Sequence, residues 1–274
     1  IFAWNIILYN GFLAIVAVYL WMMLERRFNK YSKVVGTFAF IWRLVLTTGT
    51  GSIFGFLIAR QAYDAAIMAP TFILMSFSFG LAIFNIMLIG IYKGTNRPLG
   101  DAIVERLRKL QGVFVAAVLF FVVIYHLTNL YATEHHGIEK FILDGNNVYT
   151  GLFWLGFVLI GSAIPLMICL MKGFKNSTRW LVTASIMIIA GGMTQMYIII
   201  IGGQAFPMDM FPGKIVESVI GDGAIAEYSA SLYEILLGFS GIAITLFLAV
   251  FAMNVLRILP ESLADKDIDP HHSA

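Results

Sequence analysis

Leu46-Thr47-Thr48-Gly49-Thr50-Gly51-Ser52-Ile53-Phe54-Gly55 lies inside a longer apolar stretch, Val34–Ala59, that reads as a membrane-spanning helix. In hydrocarbon a hydroxyl or a bare glycine has a use only where another helix or a ligand meets it. Three threonines, a serine and three glycines fall within the nine residues Thr47–Gly55, with Arg43 one turn before them. This helix is therefore expected to be central, closely packed and one wall of a polar pocket. Packing alone is the other reading. Gly51 and Gly55 form a small-xxx-small pair, and Thr and Ser can bond back to their own helix.

The composition agrees with a lipid setting. Of 274 residues, 59% are hydrophobic and 12% charged, against roughly 25% charged in a soluble domain, and the mean hydropathy is +0.85. Seven apolar segments are long enough to cross the roughly 30 Å core. They are about Phe2–Leu24, Val34–Ala59, Ala65–Tyr92, Gly112–Ala132, Thr150–Met171, Arg179–Gly202 and Ser231–Leu256. The expected fold is an all-α, polytopic membrane helix bundle over residues 1–256, with a tail over 257–274. Ile1 opens within an apolar run without an initiator Met, so the sequence is expected to begin partway along a longer protein. A single cysteine, Cys169, excludes a disulfide framework and a cysteine-held iron–sulfur cluster within this chain.

Loop charge gives the orientation. Successive connections carry 4, 1, 5, 1, 3 and 1 Lys/Arg, an alternation that follows the positive-inside rule at every loop. It predicts a multi-pass protein of the cell (inner) membrane with the first residue outside and the tail cytoplasmic. The outer loops Thr133–Tyr149 and Gly203–Ala230 are acidic (Glu134, Glu139, Asp144; Asp209, Glu217, Asp222, Glu227). They are expected to form a docking surface. Pro98–Gln111 reads instead as a short surface helix, with Ile103, Leu107 and Leu110 on one face and Arg106, Arg108 and Lys109 on another.

Polar residues within spans are costly, so each is a candidate for function. Beyond Arg43 and Thr47–Ser52 they are Ser76, Ser78 and Asn85; Tyr125, His126, Thr128 and Asn129; Thr194, Gln195 and Tyr197; and Tyr233 with Glu234. At about 1.5 Å per residue, Thr48, His126 and Gln195 all fall in the outer half of the bilayer. Tyr125, His126 and Asn129 share a helix face. Such a neutral set suits the carbonyl and hydroxyl groups of a quinone, while His and Glu can carry the coupled protons. The candidate quinone-binding residues are Thr48, Tyr125, His126, Asn129 and Gln195. Arg43, Arg60, Asp64 and Glu234 are candidates for a proton path. Arg43 equally suits pairing with a carboxylate on another helix. A membrane haem needs two axial ligands, and His126 is the only histidine within a span, so neither haem nor an iron–sulfur cluster is expected in this chain. Glu134-His135-His136 offers at most a surface metal site. Neither a catalytic residue nor a metal site is assigned.

Thr48–Leu57 with Ala59-Arg60 and Pro70-Thr71-Phe72-Ile73 resembles the NrfD/PsrC family of membrane subunits. So do Asp144-Gly145 through Leu152-Phe153-Trp154 with Pro165-Leu166, Ile201-Gly202-Gly203-Gln204 with Pro207 and Phe211-Pro212, Leu232-Tyr233-Glu234-Ile235, and Arg257-Ile258-Leu259-Pro260. The resemblance is strongest to the DsrP-type branch and more distant to the HybB-type hydrogenase membrane subunit. It implies the later seven helices of a ten-helix protein. It further implies a haem-free subunit that binds menaquinone or ubiquinone and exchanges electrons with a periplasmic ferredoxin-like iron–sulfur subunit. That subunit would dock on loops 133–149 and 203–230, within a respiratory complex of sulfur metabolism that holds further membrane and cytochrome subunits. Proton transfer is an open part of this expectation, and no nucleic-acid partner is expected. Two positions depart from the family pattern: Leu46 or Thr47 stands where relatives often have histidine, and Gly156 where many have Glu. A structural anchor and a transporter or ion channel are the alternative functions.

Overall fold

The computed structural model describes residues 2–174, 177–208, 224–256 and 260–268. Of the positions singled out above, Asp209, Phe211, Pro212, Glu217, Asp222 and Arg257–Leu259 lie outside them. Among the described residues, seven helices are long and apolar enough to cross a membrane. They are α1 (Phe2–Leu24), α2 (Ser32–Gly55), α3 (Met68–Gly94), α4 (Asp101–Tyr131), α6 (Val148–Leu170), α7 (Thr178–Ala205) and α8 (Leu232–Val255). A short helix, α5 (His136–Leu143), lies between α4 and α6. The element order is that of an up-and-down bundle. It gathers the Lys/Arg-rich connections at one end, here the basic end, and the acidic ones at the other.

Two expected boundaries move. Helix α2 stops at Gly55 rather than Ala59, because the chain must turn where α3 begins. A Cβ on Gly51 would lie 2.7 Å from Ala69 Cα, and one on Gly55 would lie 3.0 Å from the Ala65 carbonyl oxygen. The hydroxyls of Thr47, Thr48, Thr50 and Ser52 each donate to the carbonyl four residues back, at 2.8–3.0 Å. The glycines thus admit α3, and the hydroxyls satisfy themselves on their own helix.

The second change is larger. Asp101–Tyr131 is one continuous 31-residue helix, so Pro98–Gln111 is not a separate surface helix. Its buried stripe runs unbroken at helical spacing through Val104, Arg108, Gln111, Val115, Val118, Val122, Tyr125 and Asn129. Arg108, assigned to the polar face by its charge, is buried. It pairs with Glu105 at 2.8 Å and donates to the carbonyls of Ile168, Cys169 and Met171. A guanidinium thereby closes the open C-terminal end of α6. Further into the bundle, Asn85 Nδ2 donates to Gln111 Oε1 (3.3 Å) and Gln111 Nε2 to the Ser78 carbonyl (3.1 Å), clipping α3 to α4.

The centre of α6, Leu152–Ala163, is wound as a π-helix. Pro165, just beyond it, lacks the N–H that would reach the Gly161 carbonyl in an α ladder. This wider segment crosses α7 where Gly161 meets Gly191. At the basic end, residues 260–268 return to the start of α4. Asp265 accepts from the Asp101 and Ala102 backbone N–H groups (both 3.1 Å), and Tyr92 and Arg97 donate to the Pro260 carbonyl. Along α8 the apolar side chains are exposed on every side.

A Cβ on Gly191 would sit 2.1 Å from Gly161 Cα, a backbone atom that cannot give way. Gly191→Ala is therefore expected to destabilise the bundle by about 1–3 kcal/mol. Gly151→Ala, where nothing lies within 4 Å, should stay within about 0.5 kcal/mol of the parent. Thermal unfolding in detergent compares the two.

Candidate functional site

The polar stripe of α4 ends on a carboxylate that loop composition alone would place in water. Helix α5 folds back over the end of α4 opposite the basic end. Ile138, Phe141 and Ile142 face inward, and Glu139 lies on the same face at 0% exposure. His126 Nδ1 meets Glu139 Oε2 at 2.7 Å, and Asn129 Nδ2 donates to Glu139 Oε1 at 2.8 Å. Both carboxylate oxygens are thus engaged by residues one helical turn apart, a spacing that places two side chains side by side. A carboxylate needs this many partners when it is taken out of water.

The other face of the imidazole is apolar. His126 packs edge-on to Tyr125 and Phe153, with centroids at 5.0 and 4.8 Å. It lines a groove of about 190 Å³ with Val123, Leu127, Leu130, Leu143 and Trp154. Val123, Leu127, Leu130 and Trp154 are exposed, so the groove opens on the bilayer side of α4 and α6. Trp154 Nε1 donates to the Leu143 carbonyl at 3.0 Å, which ties α6 to the end of α5. His126 Nε2 makes no hydrogen bond among the described residues. The Glu139 contact occupies Nδ1 and leaves Nε2 as the second ring nitrogen.

The remaining candidates divide. Tyr125 donates to the Ala62 carbonyl at 2.7 Å, fixing the α2–α3 connection over the site. Gln195 is buried on α7, and its Oε1 has no partner among the described residues. Neither Gln195 nor Thr48 lines the His126 groove, and Thr48 is exposed with its hydroxyl on the Leu44 carbonyl. Arg60 donates to the carbonyls of Gln204 (2.9 Å) and Phe206 (3.4 Å) and braces the end of α7. Asp64 is an exposed turn residue at φ 40. Glu234 completes a capping box with Ser231 at the start of α8. Arg43 sits in a separate cavity. His135 and His136 meet different carbonyls, those of Gln61 and Leu130, each at 2.8 Å. Near them the Tyr63 hydroxyl donates to the Ile199 carbonyl at 3.0 Å; burial pushes this phenol up, against the pull of Arg60 and of a hydrogen bond with Gln204.

Removing the carboxylate tests the arrangement. Glu139→Leu leaves two buried polar groups without a partner and should cost about 2–5 kcal/mol. Glu139→Gln keeps one acceptor and one donor and should cost less than about 1.5 kcal/mol. Thermal unfolding of the purified protein reads the difference.

Residues 1–208 match the family Polysulphide reductase, NrfD. The chain is 26% identical over 272 residues to the Hdr-like menaquinol oxidoreductase integral membrane subunit of Archaeoglobus fulgidus, covering 98% of this chain and 68% of that one. It is 26% identical over 224 residues to a selenate reductase subunit of Mesobacillus selenatarsenatis, covering 80% and 50%. It is also 26% identical over 182 residues to a putative dimethyl sulfoxide reductase membrane subunit of Halobacterium salinarum, covering 62% and 39%. It thus spans half or less of the latter two relatives. With the membrane-spanning bundle and a match over three-quarters of its length, the chain belongs to the NrfD polysulphide reductase family.

Proposed function

We propose that the chain is a quinone-interacting membrane subunit of a multi-subunit redox complex, and that menaquinol is handled in the groove beside His126. One observation carries this reading: a buried imidazole is held through Nδ1 by Glu139, and the same ring lines an apolar groove open to lipid. The name of the Archaeoglobus relative supports menaquinol over ubiquinone. The residues suit such a substrate. The groove takes an apolar ring and tail, and Nε2 takes the one hydrogen bond a quinol hydroxyl needs. When bound, the quinol supplies two electrons and two protons. His126 would accept one of these protons at Nε2, with Glu139 steadying the charge on the ring through Nδ1–H, and the second would pass to water at the α5 end. Asn129 holds the second carboxylate oxygen and so fixes the height of Glu139. The apolar walls keep bulk water from the proton on Nε2. Electrons would leave to an iron–sulfur partner at the near end of the molecule, where α5 covers the site.

The loop charges support placing the basic end, with the tail, in the cytoplasm and the α5 end outside. The partner would then approach across 133–149 and the described parts of 203–230.

His126→Gln, which keeps a donor toward Glu139 and leaves Asn129 in place, should lower quinol-linked electron transfer by about 10²-fold or more while the complex still assembles. Glu139→Gln, which removes the carboxylate behind the ring, should do the same at near-parental stability. Unchanged turnover with a menaquinol analogue would leave the chain an anchor and refute the assignment. For the orientation, Lys30→Cys should react with an impermeant maleimide only from the cytoplasmic side, and Glu134→Cys only from the opposite side. Cys169 is buried and leaves the background low. The reverse pattern would invert the topology.

A further inference from the structure

On another part of the molecule, α1, α2, α3 and α7 border a second, open cavity of about 330 Å³ beside Arg43 and Tyr9, both exposed. We infer that it binds a second isoprenoid quinone, in the oxidised form, with its head on Arg43 and its tail along the α3–α7 groove. The guanidinium lies 5.4 Å from the ring of Phe12, halfway along α1 and therefore near the bilayer midplane. It forms no ion pair among the described residues. A cation at that depth is costly unless something accepts its hydrogen bonds. The other polar groups narrow what that acceptor is. Thr47 and Thr50 also line the cavity, but both have placed their hydrogens on backbone carbonyls. The Ser76 and Tyr9 hydroxyls line it without a hydrogen bond among the described residues. The site therefore presents donors from Arg43, Ser76 and Tyr9, and no carboxylate. The two hydroxyls can donate or accept, but the guanidinium only donates, and it suits the two accepting carbonyls of a quinone better than the hydroxyl hydrogens of a quinol.

Its apolar continuation argues for the tail. Phe79, Ile83 and Met196 are shared with a second, apolar cavity of about 500 Å³ that extends past Gly192, Met193 and Ile200. A phospholipid has a tail too, but its charged head stays at the interface, roughly 15 Å from the midplane. A neutral quinone head does not. The inference rests on the quinone reading above for the identity of the ligand, and on the Arg43 donor set for the site.

Photolabelling separates the two sites. The complex containing this chain is reconstituted in liposomes, labelled with an azido-menaquinone and mapped by peptide mass spectrometry. Two labelled sets are expected: residues 119–158 around His126, and residues 41–50, 72–83 and 192–201 around Arg43. Arg43→Leu should lower labelling of the second set about tenfold, as loss of a hydrogen bond to a charged group implies, and leave the first unchanged. Tyr9→Phe with Ser76→Ala keeps the charge and should lower it in the same direction. Oxidised menaquinone should compete at the second set at lower concentration than menaquinol. Label confined to the His126 set overturns this site and leaves the proposed function standing. Label confined to the Arg43 set does the reverse. Second-set labelling untouched by either variant, or a carboxylate of a neighbouring helix paired with Arg43 in the assembled complex, also overturns it.

Discussion

A carboxylate withdrawn from water needs a partner for each of its oxygens, and Glu139 finds both on one helix. His126 and Asn129 reach it from successive turns of α4, and this shared contact holds α5 down on the bundle. The adjoining contacts follow from that closure. Asn147 and Thr150 bond the Phe141 carbonyl, Trp154 reaches the Leu143 carbonyl, and His135 reaches the Gln61 carbonyl across the top. The imidazole is thereby held through one nitrogen, while the ring borders the groove. A hydrogen-bonded carboxylate behind a histidine serves position and chemistry together.

Much of this is legible in the residues themselves. Seven spans follow from apolar length alone, because hydrocarbon admits little else. The shared face of Tyr125, His126 and Asn129 follows from helical periodicity. Glu139 escapes such a reading, because in a polar connection an acidic residue looks solvated. Its signal is nonetheless present: Ile138, Phe141 and Ile142 recur at helical spacing and place Glu139 on their own face. Arg108 escapes for the same reason. Its charge suggests exposure, whereas the stripe from Val104 to Asn129 runs straight through it. Gathering Thr48, Gln195 and His126 into one pocket relies on depth alone. Depth gives height in the bilayer and says nothing of azimuth, and Thr48 and Gln195 lie off the groove.

The threonine–glycine stretch of α2 takes a different meaning accordingly. Its glycines let α3 start close against it, and its hydroxyls bond their own helix. The Thr47 and Thr50 side chains still border a polar cavity, but it is the one that holds Arg43. Two of the intramembrane polar groups are thus of opposite character. One is centred on a carboxylate and imidazole, the other on a guanidinium and hydroxyls.

Helix α4 is fastened at both ends by unlike means. At its start, Asp265 of the returning tail caps the first backbone N–H groups. Near its finish, Glu139 grips His126 and Asn129. An α-helix is nearly incompressible along its axis, so the roughly 38 Å from Asp101 to His126 behaves as a strut. The imidazole and the aspartate-capped end belong to one rigid element. The returning tail is thus a footing for the same helix that carries His126 and Asn129, a full helix length away from them.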